Sequence, residues 1–324
     1  MHVNLLPRDL SDPSLRYVRQ IGVGHVYVYL PRIPRYLKHG FLTPEDLATT
    51  RKRVESFWLR ISGVHLDSRA YANLLLGLDG WEKELDDICR TIDTLGNGGV
   101  PLLLFNLLVS RVLRDKLARE LPGHYVDPDG RGGVGLQSYD DARARQVADE
   151  PGGAITADQM WERITRFQKR CVPAAEQAKV RLSLHPDDPP VARFWGAEQV
   201  LNSVAGIERY LDIVPSRYSG ITLCQGTLQE AGIDVIQFIR RFGRRGKIFE
   251  AELRGVRGTI PKYSETFMDD GDLDLVKVVR ALKDVGFEGM IQVGHVPRFP
   301  NDPDRAVSNA WSAAYLKGML AAIQ

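Results

Sequence analysis

Short β-rich segments alternate with longer amphipathic segments along the whole chain, and this alternation constrains the fold more than any other feature. Eight segments are short and rich in aliphatic or β-branched residues, as strands are: 2–6, 24–30, 63–67, 101–107, 180–185, 220–224, 247–253 and 289–295. Apolar residues recur at helical spacing over 78–95, 155–178, 197–212, 229–243, 271–286 and 303–322. Ser11-Asp12-Pro13 and Thr43-Pro44-Glu45-Asp46 indicate two earlier helix starts, with proline in the first turn, where its missing amide hydrogen does no harm.

Eight strand–helix pairs in 324 residues predict an α/β protein with the (β/α)8 TIM-barrel fold, whose usual length is about 250 residues. A doubly wound open sheet is the alternative, but no Gly-x-Gly-x-x-Gly motif follows the first strand. Since no Pro/Gly-rich linker divides the chain, we expect a single barrel domain over residues 1–324. A loop insertion at about 108–154 is too long for an ordinary connection, and is either a lid or substrate wall or a surface excursion.

Composition narrows the functional class. A net charge of +2 gives no overall electrostatic reason to bind nucleic acid or an anionic membrane. No apolar run approaches the roughly 20 residues that span a bilayer, and the N-terminal residues lack the features of a signal peptide. Three cysteines without short pairing argue against a disulfide framework. We therefore expect a soluble cytoplasmic protein that acts on a small molecule, with a homo-oligomer as one option for its assembly.

The ends of the last four predicted strands carry side chains that bind metal ions. After the fifth strand comes His185-Pro186-Asp187-Asp188-Pro189-Pro190, in which the prolines preclude a helix or central strand. The next three strands end at or beside Cys224, Glu252 and His295. Because barrel active sites lie at the carboxyl ends of the strands, these four residues predict a site for a first-row divalent metal. Individually, a cysteine such as Cys224 after an apolar strand is more typical of a core residue than of a ligand, and His295 is equally typical of a hydrogen-bonded structural histidine.

Other polar residues near these strand ends are candidates for substrate binding or for orienting the ligands. Arg254 is a natural partner for a substrate carboxylate or phosphate. Asp187 and Asp188 are candidates to orient an imidazole or receive a substrate hydroxyl, and Asp187 is a catalytic candidate together with His295. The remaining candidates are polar groups at the rim: Asn106, Gln225, His65 and Asp67.

Several motifs resemble those of mannonate dehydratases. They are His-Pro-Asp-Asp-Pro-Pro at 185–190, Leu-Cys-Gln-Gly-Thr at 223–227, Phe-Glu-Ala-Glu-Leu-Arg-Gly-Val at 249–256, Gly-His-Val-Pro at 294–297 and Ala-Tyr-Leu-Lys-Gly at 314–318. The resemblance covers most of the chain and is densest between 180 and 320. It implies a xylose-isomerase-like TIM barrel that dehydrates D-mannonate to 2-keto-3-deoxy-D-gluconate in hexuronate degradation. It also implies a divalent metal, which we expect to be Mn²⁺, with Fe²⁺ or Mg²⁺ as alternatives.

The resemblance also implies a ligand set of His, Cys, His and Asp, from which this chain departs. His185 and Cys224 match the first two ligands, whereas Glu252 replaces the second histidine and Gly294 replaces the aspartate. The family's loop with a catalytic tyrosine has no clear counterpart, and residues 301–306 occupy its place. His295 is then expected to be the acid or base or the fourth ligand. A sugar isomerase or epimerase with the same barrel, or a sugar-acid-binding paralogue with altered catalysis, remains an alternative.

Overall fold

The computed structural model describes residues 1–147, 151 and 153–323, and its centre is a closed barrel of eight parallel strands. The barrel strands are His2–Leu5, His25–Tyr29, Arg60–His65, Leu102–Phe105, Arg181–Leu184, Ser219–Cys224, Ile248–Leu253 and Met290–Val293. Each strand pairs with its neighbours in chain order, and the ring closes where His2 lies opposite Met290. The predicted TIM barrel is confirmed, and every predicted strand lies within three residues of its observed bounds.

Alternation along the strands separates the inside of the barrel from the layer under the helices. Leu102 and Leu104 belong to a small apolar cluster, while Leu103 and Phe105 belong to the main core between strands and helices. The ring of Phe105 packs against that of Phe167 with 4.8 Å between centroids. Because side chains of one strand alternate between its two faces, a single short segment supplies both layers.

The helices mostly follow the predicted pattern. Their bounds are Asp12–Gln20, Tyr36–His39, Pro44–Glu55, Ala72–Leu76, Trp81–Asn97, Val109–Leu117, Asp141–Ala144, Ala157–Ala178, Val204–Ile213, Gln225–Glu230, Val235–Gly243, Leu275–Asp284 and Ala306–Ile323. The predicted start at Thr43 is confirmed, because its hydroxyl accepts a hydrogen bond from the amide of Asp46 at 3.2 Å. Within the described residues, no helix is both long and apolar enough to cross a membrane.

Two predicted helices differ from the observed ones for local reasons. The helix predicted over 197–212 begins only at Val204, because 197–198 pairs with 193–194 in a small hairpin and Ser203 caps the helix. The helix predicted over 229–243 is divided into two. Gly232 adopts a left-handed conformation with φ +72°, and Asp234 then caps a new helix.

The long insertion carries secondary structure of its own. Its strands His124–Asp127 and Leu136–Asp140 join the hairpin strands Gly255–Thr259 and Lys262–Thr266, which extend from the seventh barrel strand, in one four-stranded antiparallel sheet. Side chains from this sheet and from the helix Val109–Leu117 line a cavity above the barrel. The insertion is therefore a wall of that cavity over its described part, while residues 148–150 and 152 of the predicted range lie outside the described residues.

Candidate metal centre and active site

Two adjoining cavities lie at the carboxyl-terminal end of the barrel. The inner chamber, of about 270 Å³, is lined by the ends of barrel strands. The outer chamber, of about 540 Å³, lies between the barrel and the insertion. They share the lining residues Leu108, Arg111, Asp188, His295 and Arg305. A ligand in the inner chamber therefore has room to extend into the outer one.

His185, Cys224 and Glu252 are brought together at the inner chamber. One possible ligand atom from each lies within 4.8 Å of the other two. Metal–ligand bonds of about 2.0 to 2.3 Å place ligand atoms roughly 3 to 4 Å apart, so a small contraction would allow all three side chains to bind one ion. This donor set of imidazole, thiol and carboxylate fits a first-row divalent ion.

A row of polar side chains below this group fixes its position. Side chains two residues apart point to the same face of a strand, so Ser183, Thr222 and Glu250 lie one layer beneath the three candidate ligands. The hydroxyls of Ser183 and Thr222 are 2.9 Å apart, and Thr222 donates to Glu250 Oε2 at 3.0 Å. Burial raises the pKa of Glu250 well above its usual value, which favours its neutral form. These bonds hold three neighbouring strands in one register.

Two of the candidate ligands are prepared for a cation in different ways. His185 Nδ1 lies 2.7 Å from the carbonyl oxygen of Pro186. Because a carbonyl only accepts, Nδ1 donates and Nε2 keeps the lone pair needed for a metal. Burial raises the pKa of the Cys224 thiol to about 12, so the thiol stays protonated as long as no metal ion is bound. A bound divalent metal would favour its thiolate.

Glu252 fills space that Gly294 leaves empty. The two residues lie on adjacent strands, where Glu252 pairs with Gln292 and accepts from its side-chain amide at 3.3 Å. A Cβ at position 294 would lie 3.2 Å from Glu252 Oε1 and 3.1 Å from its Cγ. The carboxylate of the seventh strand thus occupies the region where a side chain of the eighth strand would begin. A side chain at position 294 would therefore press against the Glu252 carboxylate.

Arg254 is fully buried and surrounded by protein acids. Its guanidinium donates to Glu230 at 3.0 and 3.2 Å and to Asp188 at 3.2 Å, and it lies 3.2 Å from Glu265. It also donates to Cys224 Sγ at 3.1 Å. Although burial opposes the charge, these anionic groups raise the pKa of Arg254. Arg254 also lies 3.5 Å from Glu252 Oε1, so it connects two candidate ligands, Cys224 and Glu252, with three further carboxylates.

The predicted role of Arg254 as a substrate ligand stays a prediction, and its burial and its bonds to protein acids favour a structural role instead. The guanidinium passes over Gly226, where a Cβ would lie 2.3 Å from Arg254 Nε. Only glycine leaves this path open, so the local sequence is built around the buried arginine.

His295 faces both chambers and is oriented by Glu265. Its Nδ1 lies 2.6 Å from Glu265 Oε1, which leaves Nε2 to exchange a proton. Burial opposes the imidazolium, but the Glu265 carboxylate outweighs it and raises the pKa of His295. Among the described residues, His295 is outside the group of three possible ligands. Its geometry favours proton transfer over the predicted alternative of metal ligation.

Two further predicted residues point away from the chambers. Asp187 accepts from the amide of Leu201 at 2.7 Å, and burial raises its pKa to about 7. Gln225 accepts from the amide of Arg254 at 3.1 Å. Neither lines a chamber, so the catalytic role of Asp187 and the substrate-binding role of Gln225 stay predictions, and these contacts favour structural roles.

The other rim residues are divided between the cavity and the core. Asn106 and His65 line the inner chamber, and Asp188 lines both chambers. Asn106 Oδ1 accepts from the hydroxyl of Tyr71 at 3.1 Å. Asp67 is buried and forms an ion pair with Arg69 at 2.6 Å. The substrate-binding roles of Asn106 and Asp188 stay predictions that the geometry permits.

Sequence reasoning missed Glu265, Arg111 and Arg305 as site residues. Glu265 lies in the hairpin after the seventh strand, which no pattern indicated. Arg111 and Arg305 lie in a helix of the insertion and in the loop before the last helix. The other candidates could be predicted because they directly follow a barrel strand, whereas none of these three residues does.

The fold and site define a class: a TIM barrel with candidate metal ligands at the carboxyl ends of its strands. A family model described as D-mannonate dehydratase (UxuA) matches residues 145–324, more than half of the chain. The chain belongs to the mannonate dehydratase family.

Curated relatives agree with this assignment, and solved structures share the fold. Mannonate dehydratases of Thermotoga neapolitana and Thermotoga maritima are each 29% identical over 311 residues, with 87% of this chain and 85% of theirs covered. The structure of mannonate dehydratase from Streptococcus suis superposes with a TM-score of 0.80 at 21% identity, covering 100% of this chain and 93% of the other. A xylose isomerase domain protein from Planctomyces limnophilus has a TM-score of 0.62 at 11% identity, with 99% and 95% covered.

Replacing Arg254 with methionine should destabilise the protein by about 3 to 5 kcal/mol, because buried carboxylates lose their cation. Arg257→Met is the matched control, since Arg257 pairs with Asp270 at the exposed surface and should cost less than about 1 kcal/mol. Urea denaturation measures both free energies of unfolding. Equal, small losses would contradict a central role for Arg254.

Replacing Gly294 with alanine should lower Mn²⁺ affinity at least about tenfold, because the new Cβ displaces the Glu252 carboxylate. Gly318→Ala is the control, since a Cβ there meets nothing within 4 Å. Calorimetric titration of metal-free protein with Mn²⁺ measures the affinity. An unchanged affinity in Gly294→Ala would show that Glu252 needs no such space.

Proposed function

We propose that this protein is a metal-dependent hydro-lyase that removes water from a sugar acid of the mannonate type and forms a 2-keto-3-deoxy acid. One observation carries the proposal: His185, Cys224 and Glu252 converge beside the inner chamber, and the His295–Glu265 pair stands at its junction with the outer chamber. Membership of the mannonate dehydratase family supports the reaction class.

The proposed metal is Mn²⁺, with Fe²⁺ and Mg²⁺ as alternatives. Glu252 supplies a hard, anionic oxygen donor, which favours Mn²⁺ or Mg²⁺, while the Cys224 sulfur disfavours Mg²⁺. When bound, the ion supplies Lewis-acid stabilisation for negative charge that develops beside the substrate carboxylate.

His295 is the proposed proton-transfer residue. Dehydration removes the proton at C2 and expels the hydroxyl at C3, so one group must accept a proton and one must protonate the leaving oxygen. With Nδ1 held by Glu265, His295 accepts at Nε2, and the resulting imidazolium is stabilised by the carboxylate. The same nitrogen then returns the proton to the leaving hydroxyl. Asp188 and Asn106 are proposed to bind substrate hydroxyls from the chamber wall.

Incubation of Mn²⁺-loaded protein with D-mannonate should yield a product one water lighter, which mass spectrometry and the periodate–thiobarbiturate reaction for 2-keto-3-deoxy acids detect. A product of unchanged mass would instead identify an isomerase or epimerase. Binding of sugar acids without turnover in Mn²⁺, Fe²⁺ and Mg²⁺ would refute catalysis.

His295→Ala should lower kcat at least about 10²-fold and leave metal content unchanged, since it removes the acid–base group. His39→Ala is the control, because His39 lines neither chamber. Full activity in His295→Ala would exclude the proposed role.

His185→Ala and Cys224→Ala should each abolish stoichiometric metal, because each removes one of three ligands. Cys89→Ala is the control, since Cys89 lies in the helix Trp81–Asn97, outside the ligand group. Metal analysis of the gel-filtered proteins after Mn²⁺ loading decides the point. Wild-type occupancy in either ligand variant would contradict the assignment.

A further inference from the structure

Three arginines line the outer chamber without a carboxylate partner among the described residues. They are Arg111, Arg298 and Arg305. In the described part of the chain, the guanidiniums of Arg111 and Arg305 form no hydrogen bond or ion pair, and that of Arg298 donates only to the neutral Gln137 at 3.5 Å. A fourth arginine of the chamber differs, because Arg114 donates to Asp115 at 2.7 and 3.0 Å.

The acids of the same chamber leave these cations uncompensated. Asp188 and Glu265 already hold Arg254, and Glu265 also holds His295. Glu120 lines the chamber but is within ion-pair distance of none of the three arginines. Burial and the charge of Arg298 lower the pKa of Arg305, while the carboxylate of Glu265 acts in the opposite direction. The outer chamber thus presents guanidinium groups that form no ion pair with any described carboxylate.

The fold holds two of these arginines by their backbones. Arg298 pairs with Gly135 of the insertion through two backbone hydrogen bonds of 2.7 and 2.9 Å. Arg305 has a left-handed backbone with φ +55°, which is costly for a residue other than glycine. Its position follows from Asp302, which accepts from the amides of Ala306 and Val307 at 2.7 and 2.8 Å. Such a cost is typical of a functional site.

We propose that the outer chamber is an anion subsite, so that the ligand carries a second anionic group, a phosphate or a carboxylate, at its end remote from the metal. This deepens the proposed function and rests on it for the reacting end of the ligand. The inner chamber of about 270 Å³ takes that end. Arg111 and Arg305 line both chambers, so the chain of the ligand passes between them into the larger space. Guanidinium groups match the oxygens of both anions through paired N–H donors.

Calorimetry on the Mn²⁺-loaded protein tests this with three ligands: D-mannonate, its six-carbon diacid, and D-mannonate phosphorylated at C6. We expect at least one of the two ligands with a second anionic group to bind about tenfold or more tightly than mannonate. This gain corresponds to one charge-assisted contact. Arg298→Gln and Arg305→Gln should each remove this advantage, and Arg298→Gln should leave mannonate affinity unchanged, because Arg298 lines only the outer chamber. Arg114→Gln is the control and should retain the advantage, because Asp115 already engages Arg114.

Two outcomes would overturn the subsite. One is equal affinity for all three ligands, or an advantage that survives both substitutions. The other is a loss of mannonate affinity in the variants that equals their loss of affinity for the other two ligands. Such a result would place the only carboxylate of mannonate at the arginines.

A titration with inorganic phosphate in chelator-treated protein separates this result from the proposed function. Phosphate binding that Arg305→Gln abolishes would support the subsite even if no sugar acid is dehydrated. Dehydration of mannonate with neither phosphate binding nor a preference for dianions would overturn the subsite alone.

Discussion

The buried guanidinium of Arg254 is the interaction on which the rest of the site depends. It bonds the thiol of Cys224 on one side and the carboxylates of Asp188, Glu230 and Glu265 on the others. A buried cation is tolerated only where several acceptors surround it, and each of those acceptors is tolerated because of the cation. The candidate metal ligands and the proton-transfer pair are thereby parts of a single electrostatic unit.

The barrel and the ligand group were predictable from sequence because both follow from periodicity. Strand lengths and helical spacing specify eight repeats, and the carboxyl ends of parallel strands lie at one end of a barrel. On this basis His185, Cys224, Glu252 and His295 are expected at one site, and the structure brings candidate ligand atoms of the first three within 4.8 Å of one another. The sequence alone does not distinguish Asp187 from Asp188, because both acids directly follow the strand end. In the structure, Asp187 bonds to the backbone of Leu201, whereas Asp188 lines the chambers.

What sequence could not predict depends on contacts between distant segments. Glu265 reaches His295 only because a hairpin extends beyond the seventh strand and folds over the barrel. Arg254 looked like a substrate ligand because its position after Glu252 suggests the rim, but its length lets it turn inward over Gly226. The coupling of Glu252 with Gly294 also becomes clear only when the two strands lie side by side.

The four-stranded sheet joins segments that are far apart in the chain, since Ser138 and Ser264 are bonded across it at 2.7 Å and are 126 positions apart. The strand that carries Glu265 is thus also an inner strand of the cavity wall. During synthesis, residues 136–140 have no partner on this side until residue 266 has been made. The wall of the outer chamber and the carboxylate that orients His295 are therefore completed in one event, and a nascent or partly unfolded chain lacks both.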